Sequence, residues 1–410
     1  MDAQSQWTGL DAGRLERITE HLERNYIGPG KIPGAQVSVA RHGHLAYFSS
    51  FGSMDLERRK ATRDDTIYRI YSMTKPITSV ALMTLYERGY FQLNDPVSRF
   101  VPSWKDHRVW ISGEGADMKT EAPARAVTFR DVLTHTAGLT YGGGLPGVGL
   151  QHPIDKVYRE LKVRSLGSTD SMQVFMDKLS QVPLRYQPGT AWMYSLATDV
   201  CGALVEIISG KPFARYLDEV IFQPLGMKDT AFQVAPDKKD RFAANYQRGP
   251  DKGLKLIDDP ETSAYNFEPG FKSGGGGLTG TSADYLRFCE MLRRGGELDG
   301  HRVLGPRTLA LMHMNHLPGG KQLTECALGG FSETAYDGVG FGLGFASTMG
   351  EVESGGLGAG DYYWGGAAST IFWVDPKEDL CVVFMTQLMP SGTFNFRGQL
   401  KSITYSSIID

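Results

Sequence analysis

Residues 71–76 read YSMTKP and connect the strand-like segment DDTIYRI (64–70) to the helix-like segment ITSVALMTLYERGY (77–90). Ser72 and Lys75 are three residues apart, so their side chains share one face at the start of a helix. A serine hydroxyl becomes an effective nucleophile when a neighbouring base takes its proton, and a lysine can do so when burial or nearby charge favours the neutral amine. Backbone N–H groups of a first helical turn can also stabilise an oxyanion. The spacing therefore predicts either a catalytic pair or a capping serine beside an exposed lysine.

The composition is that of an ordinary globular protein. Of the 410 residues 41% are hydrophobic and 22% are charged, so the chain can bury a full-sized core. The net charge of −3 argues against nucleic acid or an anionic membrane surface as the main partner. No stretch reaches the roughly 18 consecutive apolar residues of a membrane span, and no basic segment followed by an apolar run opens the chain. We therefore expect no membrane span, no signal peptide and a cytoplasmic location.

The cysteine and histidine patterns favour neither a disulfide framework nor a metal site. The four cysteines are widely spaced and form no CxxC pair: Cys201, Cys289, Cys326 and Cys381. His313 and His316 lie in an HMNH segment without a nearby carboxylate, so a helix surface or a loop is the better interpretation. The sequence has no Walker A loop and no GxSxG serine, which weighs against an α/β-hydrolase nucleophile. We expect no metal and no cofactor.

Predicted strands lie towards both ends of the chain and predicted helices lie between them. The segment 35–52 alternates around an RHGH turn and predicts a hairpin, while 367–376 and 380–387 predict two late strands. The economical arrangement is an α+β fold in which an antiparallel sheet is flanked by helices and carries an inserted helical domain. We assign 1–80 and 236–410 to a discontinuous α/β domain and 81–235 to the helical domain. A cleft between such domains is a common ligand site, so we expect the active site there.

The order of several motifs resembles the serine β-lactamase and penicillin-binding protein superfamily, in particular class C β-lactamases and family VIII carboxylesterases. The segments that carry the resemblance extend over nearly the whole chain: IPGAQVSVARHG (32–43), YRIYSMTK (68–75), LNDPVSRFVP (93–102), VLTHTAGLTY (132–141), PGTAWMYSLATDVCGALVEIISG (188–210), PLGMKDTAF (224–232), GGGGLTGTSADYLRF (274–288) and WGGAAST (364–370). Each piece alone is unspecific, whereas the ordered set is specific. The resemblance implies a serine β-lactamase-like fold that brings these motifs into one cleft.

The resemblance also implies catalytic roles. Ser72 would be the nucleophile and Lys75 its partner on the helix, and Tyr194 takes the tyrosine position of the family's Tyr-x-Asn motif. Beside a lysine cation a phenolate is favoured, so Tyr194 could take or relay the serine proton. Ala367 follows the segment at the family's Lys-Thr-Gly strand, and the N–H groups of Ser72 and Ala367 would form the oxyanion hole. The alternatives are a core tyrosine at Tyr194 and a Gly-Gly bend in an edge strand at 365–366.

Two residues of the segment THTAGLTY have weaker implied roles. His135 could be taken for the base of a catalytic triad, but we interpret it as a brace for its own loop. Tyr141 follows that loop, and the resemblance implies that it lines the acyl pocket. Neither residue is required for the proton transfers expected of Lys75 and Tyr194.

The end of the cleft departs from the class C pattern. Trp364 and Gly365 stand where that pattern has lysine and threonine, and Leu196 stands where it has asparagine. In the β-lactamases these polar groups hold the carboxylate and the side-chain amide of the antibiotic. We therefore expect Trp364, Gly365, Gly366 and Leu196 to line an apolar substrate site. Such a site favours neutral esters, because the desolvation of a carboxylate would go uncompensated.

The sequence therefore predicts a serine carboxylesterase that hydrolyses short-chain esters through an acyl-enzyme, with a small-molecule ester as its partner. An acyltransferase on the same fold would differ in admitting an alcohol in place of water. A weak β-lactamase or a D-amino-acid peptidase would need the carboxylate clamp that is missing here. A non-catalytic ligand-binding protein is a further alternative, against which the set Ser72, Lys75 and Tyr194 argues.

Overall fold

The computed structural model describes residues 3–143, 152–163, 166–329, 334 and 336–410. The β-strands are β1 (Gly34–Arg41), β2 (His44–Asp55), β3 (Lys60–Ala61), β4 (Ile67–Arg69), β5 (Val109–Ser112), β6 (Lys119–Glu121), β7 (Asn245–Arg248), β8 (Leu254–Asp258), β9 (Thr279–Thr281), β10 (Glu297–Leu298), β11 (His301–Arg302), β12 (Val339–Phe341), β13 (Ala346–Thr348), β14 (Tyr362–Gly365), β15 (Ile371–Asp375), β16 (Leu380–Thr386) and β17 (Leu388–Met389). The α-helices are α1 (Ala3–Thr8), α2 (Ala12–Leu15), α3 (Arg17–Leu22), α4 (Thr74–Glu87), α5 (Phe129–Leu133), α6 (Pro153–Glu160), α7 (Met172–Ser180), α8 (Ala197–Ser209), α9 (Phe213–Leu217), α10 (Gln223–Leu225), α11 (Ser282–Arg293), α12 (Pro306–His313), α13 (Leu323–Cys326), α14 (Glu351–Ser354) and α15 (Phe396–Tyr405). None of these helices combines the length and the apolar character of a membrane-crossing segment.

The largest sheet joins the two ends of the chain. Its strands run in the order β12-β13-β14-β15-β16-β1-β2-β3, and each neighbouring pair is antiparallel. The N-terminal strand β1 lies between β2 and the C-terminal strand β16, with Val37 opposite Phe384. The predicted α+β fold, with an antiparallel sheet built from both ends of the chain, is confirmed.

Helices cover both faces of this sheet. Phe372 lies in register with Val383, so the neighbouring residue Phe384 points to the opposite face. On one face Tyr285 of α11 packs against Phe372, with ring centres 5.0 Å apart. On the other face Phe396 of α15 packs against Phe384 at 4.9 Å. Because both faces are covered, β16 is buried along its whole length, and its residues 380–385 form a continuous apolar run.

Helix α4 carries the YSMTKP stretch into the interior. Its residues 74–85 are all buried, and it packs chiefly against α8. The turn 71–73 that precedes α4 contacts β14 of the large sheet. The turn that holds Ser72 therefore lies between the sheet and the helices from the middle of the chain.

The middle of the chain is mainly helical, as predicted, with α5 to α10 between residues 129 and 225. Thr128 and Asp131 form a reciprocal capping box at the start of α5, which agrees with the predicted capped helix. The hairpin of β5 and β6 was not predicted, because its strands are short, mostly exposed and without apolar alternation. The boundaries proposed for the helical domain, 81–235, stay a prediction.

A buried histidine in this region makes folding stability depend on pH. His107 is 3% exposed and packs edge-on against Trp104, and burial lowers its pKa from 6.5 to about 4. Between these values the unfolded chain binds the proton more tightly, so the free energy of unfolding falls as the pH drops below 6.5. Between pH 7.5 and pH 5, His107 should lower the free energy of unfolding by about 2 kcal/mol. Urea unfolding at both pH values should show that His107→Gln loses about 2 kcal/mol less stability than the wild type.

The exposed His301 provides the matched control. His301→Gln should keep the full pH dependence of the wild-type protein. Identical losses for wild type and His107→Gln would show that His107 is not responsible.

Candidate active site

Three predicted side chains meet at the Ser72 hydroxyl. Lys75 Nζ lies 3.2 Å from Ser72 Oγ, and the Tyr194 hydroxyl lies 2.8 Å from it. All three residues are buried, with exposed fractions of 8% for Ser72, 1% for Lys75 and 4% for Tyr194. Two groups able to carry a proton therefore lie within hydrogen-bond reach of one serine hydroxyl, which is the geometry that an activated nucleophile requires.

The backbone just before Ser72 is strained. Tyr71 has a φ of 41°, in the left-handed region that residues other than glycine seldom adopt. The side-chain amide of Asn245 donates a 3.0 Å hydrogen bond to the Tyr71 hydroxyl and helps to hold this conformation. The 3₁₀ turn 71–73 then runs directly into α4. Strain of this kind persists only where the surroundings impose it, and it clusters at functional sites.

The Lys75 amine is held by the glycine-rich loop that follows residue 272. It donates a 2.6 Å hydrogen bond to the Gly275 carbonyl, and Nζ lies 4.6 Å from the centre of the Tyr194 ring. A buried ammonium needs such partners to offset its lost hydration. These contacts orient the amine towards Ser72.

Asp199 is a buried carboxylate that no sequence motif indicated. Its Oδ1 accepts hydrogen bonds from the Gly275 N–H at 3.0 Å and from the Ser273 hydroxyl at 2.6 Å. The residue is 1% exposed. Asp199 therefore anchors the backbone N–H of Gly275, the residue whose carbonyl binds Lys75. The signal for it was an acidic residue within the apolar helix α8, since acids are seldom fully buried unless they are paired.

Tyr194 lies within a cluster of aromatic rings. Its ring centre is 5.3 Å from that of Tyr141, 5.4 Å from Trp364 and 6.3 Å from Trp192. The indole Nε1–H of Trp364 points to the Tyr194 oxygen at 3.4 Å. A neutral N–H donor thus lies beside the phenol where the class C pattern has a lysine cation.

His135 makes the contacts of a structural brace. Its Nδ1 lies 3.1 Å from the Ser195 hydroxyl and its Nε2 lies 3.4 Å from Thr198 Oγ1. Burial, with a smaller contribution from the Lys75 charge, lowers the pKa of His135 well below 6.5, so the ring is neutral at neutral pH. The His135 carbonyl also accepts the Met193 N–H at 2.9 Å, which ties the loop to the chain just before the active-site tyrosine.

Gly366 brings the end of β14 against the nucleophile turn. A Cβ at this position would lie 2.5 Å from the Ile70 carbonyl oxygen, so the approach requires glycine. Ala367 follows and is half-buried. The close approach places the backbone at 366–367 beside the turn that carries Ser72, where an oxyanion hole shared by Ser72 and Ala367 would have to lie.

Two further residues that were predicted to bind substrate, Tyr141 and Leu196, differ in their exposure. Tyr141 is half-buried and packs on the Tyr194 ring, whereas Leu196 is 2% exposed and caps the start of α8 as part of the core. Arg397 donates a 3.2 Å hydrogen bond to the Trp364 carbonyl. This cation comes from α15, so nothing in the local sequence around the β14 strand indicated it.

The two histidines of the HMNH segment have structural contacts. His313 stacks on Tyr362 with ring centres 4.7 Å apart, and His316 Nδ1 lies 2.7 Å from an Arg130 guanidinium nitrogen. Within the part of the chain that the structure describes, no three His, Cys, Asp or Glu residues cluster as a metal site would require.

The fold is that of the superfamily that contains the serine β-lactamases and the penicillin-binding proteins. The chain belongs to the Beta-lactamase family, whose model matches residues 19–402. The resemblance to this superfamily and to its family VIII esterases is thereby confirmed.

Named relatives are similar over almost their entire lengths. Esterase EstB of Burkholderia gladioli is 30% identical over 399 residues, which cover 93% of each chain. The solved structure of EstCE1, described as a hydrolase with promiscuous acyltransferase activity, has a TM-score of 0.77 at 27% identity and covers 96% of this chain and 99% of that one. Simvastatin synthase (LovD) from Aspergillus terreus shares the fold, with a TM-score of 0.78 at 24% identity over 96% of this chain and 98% of that one. The likenesses to EstB and EstCE1 support a serine hydrolase of the esterase type.

Proposed function

We propose that this protein is a carboxylesterase that hydrolyses neutral, short-chain esters through an acyl-enzyme on Ser72. The observation that carries the proposal is the placement of Lys75 Nζ and the Tyr194 hydroxyl at 3.2 Å and 2.8 Å from one buried serine oxygen. The family relationship and the esterases among the relatives support it. No metal and no cofactor enter the proposed chemistry.

In the first half-reaction, Ser72 Oγ attacks the ester carbonyl carbon while the Tyr194 phenolate, stabilised by the Lys75 ammonium, takes the serine proton. The carbonyl oxygen becomes an oxyanion that the Ser72 and Ala367 N–H groups would bind. The bond to the alcohol oxygen then breaks, and the proton passes from Tyr194 to the departing alcohol. In the second half-reaction, water attacks the acyl-enzyme, gives its proton to the same pair, and the acid leaves as Ser72 Oγ regains a proton.

The cheapest test separates an enzyme from a ligand-binding protein. Incubation with a p-nitrophenyl alkylphosphonate should release one p-nitrophenol per chain and leave one phosphonyl adduct in the intact mass, located on Ser72 by peptide mapping. A protein without an adduct, and without turnover of p-nitrophenyl acetate, would contradict the proposal.

The residues at the positions of the class C carboxylate and amide clamp predict the substrate class. Trp364, Gly365 and Leu196 replace groups that would bind a carboxylate and an amide, so β-lactam hydrolysis should be weak or absent. An unpaired carboxylate in a partly desolvated cleft costs at least ~1–3 kcal/mol, or about one to two decades in affinity. We expect kcat/KM for p-nitrophenyl acetate to exceed that for a chromogenic cephalosporin, measured on one preparation.

Arg397 is the cation to test as a substitute clamp, since it already contacts the Trp364 carbonyl. Arg397→Gln should leave the ratio of ester to cephalosporin turnover unchanged. Cephalosporin turnover that equals or exceeds ester turnover, and that falls in Arg397→Gln, would assign the protein to the β-lactamases instead.

Asp199 should act as a positioning residue, since it anchors Gly275 and thereby Lys75. Loss of a charge-assisted hydrogen bond is worth about 1.5–3 kcal/mol, so Asp199→Ala should lower kcat about 10- to 100-fold with little change in KM. Asp199→Asn keeps an acceptor oxygen and should retain most of kcat. Rates are expressed per active site titrated with the phosphonate, which removes any contribution from unfolded protein.

Asp284 serves as the control because it is also a buried acid at the start of a helix, where it accepts a hydrogen bond from Thr230. Asp284→Ala should lower the melting temperature without a comparable loss of kcat. An Asp199→Ala variant that loses only thermal stability would show that the carboxylate has no positioning role.

Acyl transfer to an alcohol is the second candidate, and the promiscuous acyltransferase activity of the similar hydrolase EstCE1 favours it. It shares the acyl-enzyme and differs in the acceptor. With p-nitrophenyl acetate and a series of added alcohols, mass spectrometry of the products gives the ratio of new ester to acid. Mainly acid at millimolar alcohol would support hydrolysis, and mainly ester would favour the transferase.

A further inference from the structure

A cavity of about 390 Å³ lies beside the nucleophile turn and has no part in the proton transfers above. Its volume is within the range of small-molecule sites, about 300–1,000 Å³. Its walls are mainly aromatic and aliphatic and include Tyr71, Leu166, Phe232, Tyr265, Phe267 and Phe271.

The cavity is connected to the catalytic group through two short pieces of backbone. Tyr71 lines it and directly precedes Ser72, and consecutive Cα atoms are about 3.8 Å apart. Gly277 also lines it, two residues after the glycine whose carbonyl binds Lys75. The two pieces of backbone lie close together, because a Cβ on Gly276 would be 3.8 Å from the Tyr71 backbone. The cavity therefore borders both the turn that carries Ser72 and the loop that holds Lys75.

The lining favours a neutral apolar group. Phe267 is 69% exposed and Leu166 is 50% exposed, so large apolar side chains lie open to solvent around the cavity. Glu268 is the charged residue among the described lining residues, and it forms an ion pair with Lys272 at 2.5 Å. The described lining includes no cationic side chain, so an acidic ligand would find no ion-pair partner to offset its desolvation.

The position of Tyr194 indicates which half of the ester enters. Tyr194 gives its proton to the departing alcohol, so the alcohol must lie on the side of Tyr194 and its neighbour Trp364. Neither of these two is among the described residues that line the cavity. The acyl group, which stays on Ser72, is therefore the part that can point towards Tyr71 and Phe267.

We propose that this cavity is the acyl subsite and that it binds a compact aryl or branched acyl group, such as phenylacetyl. The inference rests on the proposed esterase function. Aromatic walls pack favourably against an aryl group, and each buried methylene should raise kcat/KM roughly fourfold.

The test compares kcat/KM for p-nitrophenyl phenylacetate with that for p-nitrophenyl acetate, which share one leaving group. The wild-type protein should prefer the phenylacetate. Phe267→Ala and Leu166→Ala should each lower the ratio about fivefold, as expected for one lost apolar contact. Val352, which is 91% exposed and does not line the cavity, provides the control, and Val352→Ala should leave the ratio unchanged. A ratio that is the same in all four proteins would overturn the subsite.

A second measurement keeps the subsite separate from the esterase proposal. Calorimetry with 2-phenylacetamide and acetamide, which have no ester to hydrolyse, should show tighter binding of the phenyl compound and weaker binding by Phe267→Ala. If no ester is turned over and no phosphonate adduct forms, the esterase proposal fails. The difference in amide binding then still shows whether the cavity binds a phenyl group. If esters are turned over but neither the ratio nor the amide binding depends on Phe267, the subsite alone is wrong.

Discussion

Ser72→Ala should abolish the turnover of a short p-nitrophenyl ester while the circular dichroism spectrum and melting temperature stay close to those of the wild type. The expected loss in kcat is at least about 10⁴-fold, since removal of a nucleophile removes the covalent route entirely. The physical reason is that Ser72 Oγ is the atom on which Lys75 and Tyr194 converge.

Ser79 is a matched control for that variant, because it is a buried serine, 1% exposed, in helix α4, which directly follows the turn that holds Ser72. Ser79→Ala removes the same atom and should keep wild-type kcat within a few-fold. Turnover that survives Ser72→Ala, or a phosphonyl adduct mapped to another residue, would move the nucleophile elsewhere.

Lys75→Ala and Tyr194→Phe should each lower kcat about 10³-fold, which corresponds to about 4 kcal/mol in the activation barrier. The double variant should lose little more than either single variant, because groups that act as one proton-transfer unit are not additive. Both side chains lie within hydrogen-bond distance of the same serine oxygen, and the lysine amine lies 4.6 Å from the tyrosine ring centre. The measurement is kcat for p-nitrophenyl acetate in the four proteins of the cycle.

Tyr216→Phe is the control for the loss of a buried phenol, since the Tyr216 hydroxyl bonds to Thr84 away from Ser72. It should affect stability and leave kcat unchanged. Losses that multiply in the double variant, to about 10⁶-fold, would show that Lys75 and Tyr194 act in separate steps.

The sequence was sufficient to predict those site residues and strands that a local spacing or an ordered motif identifies. Ser72 and Lys75 are one helical turn apart, so their proximity follows from helix geometry alone once α4 begins near them. The alternation and apolar runs near both ends of the chain indicated the antiparallel sheet. Tyr194 was predicted through the ordered set of motifs, because no local rule links it to a serine 122 residues earlier.

The sequence was insufficient where function depends on contacts between distant segments that carry no motif of their own. Asp199 lies in a helix whose pattern predicts a buried face, and its hydrogen bonds to Ser273 and Gly275 exist because α8 packs beside the glycine-rich loop. Arg397 reaches Trp364 from the C-terminal helix in the same way. Such partners are set by packing, which no periodicity records.

The sequence alone determined the chemistry available to this protein: a serine with a lysine one turn later, a tyrosine in a matching motif, and an apolar end where a cation is usual. The tertiary structure decided how those groups are arranged and what surrounds them. The positive φ of Tyr71 and the contact of Gly366 with Ile70 arise from the meeting of sheet, turn and helix. So does the aromatic cavity beside Tyr71, since its walls come from segments about 200 residues apart in the chain. The physical reason is that a helical turn is specified by neighbours in sequence, whereas a cavity or a close backbone approach is specified only by neighbours in space.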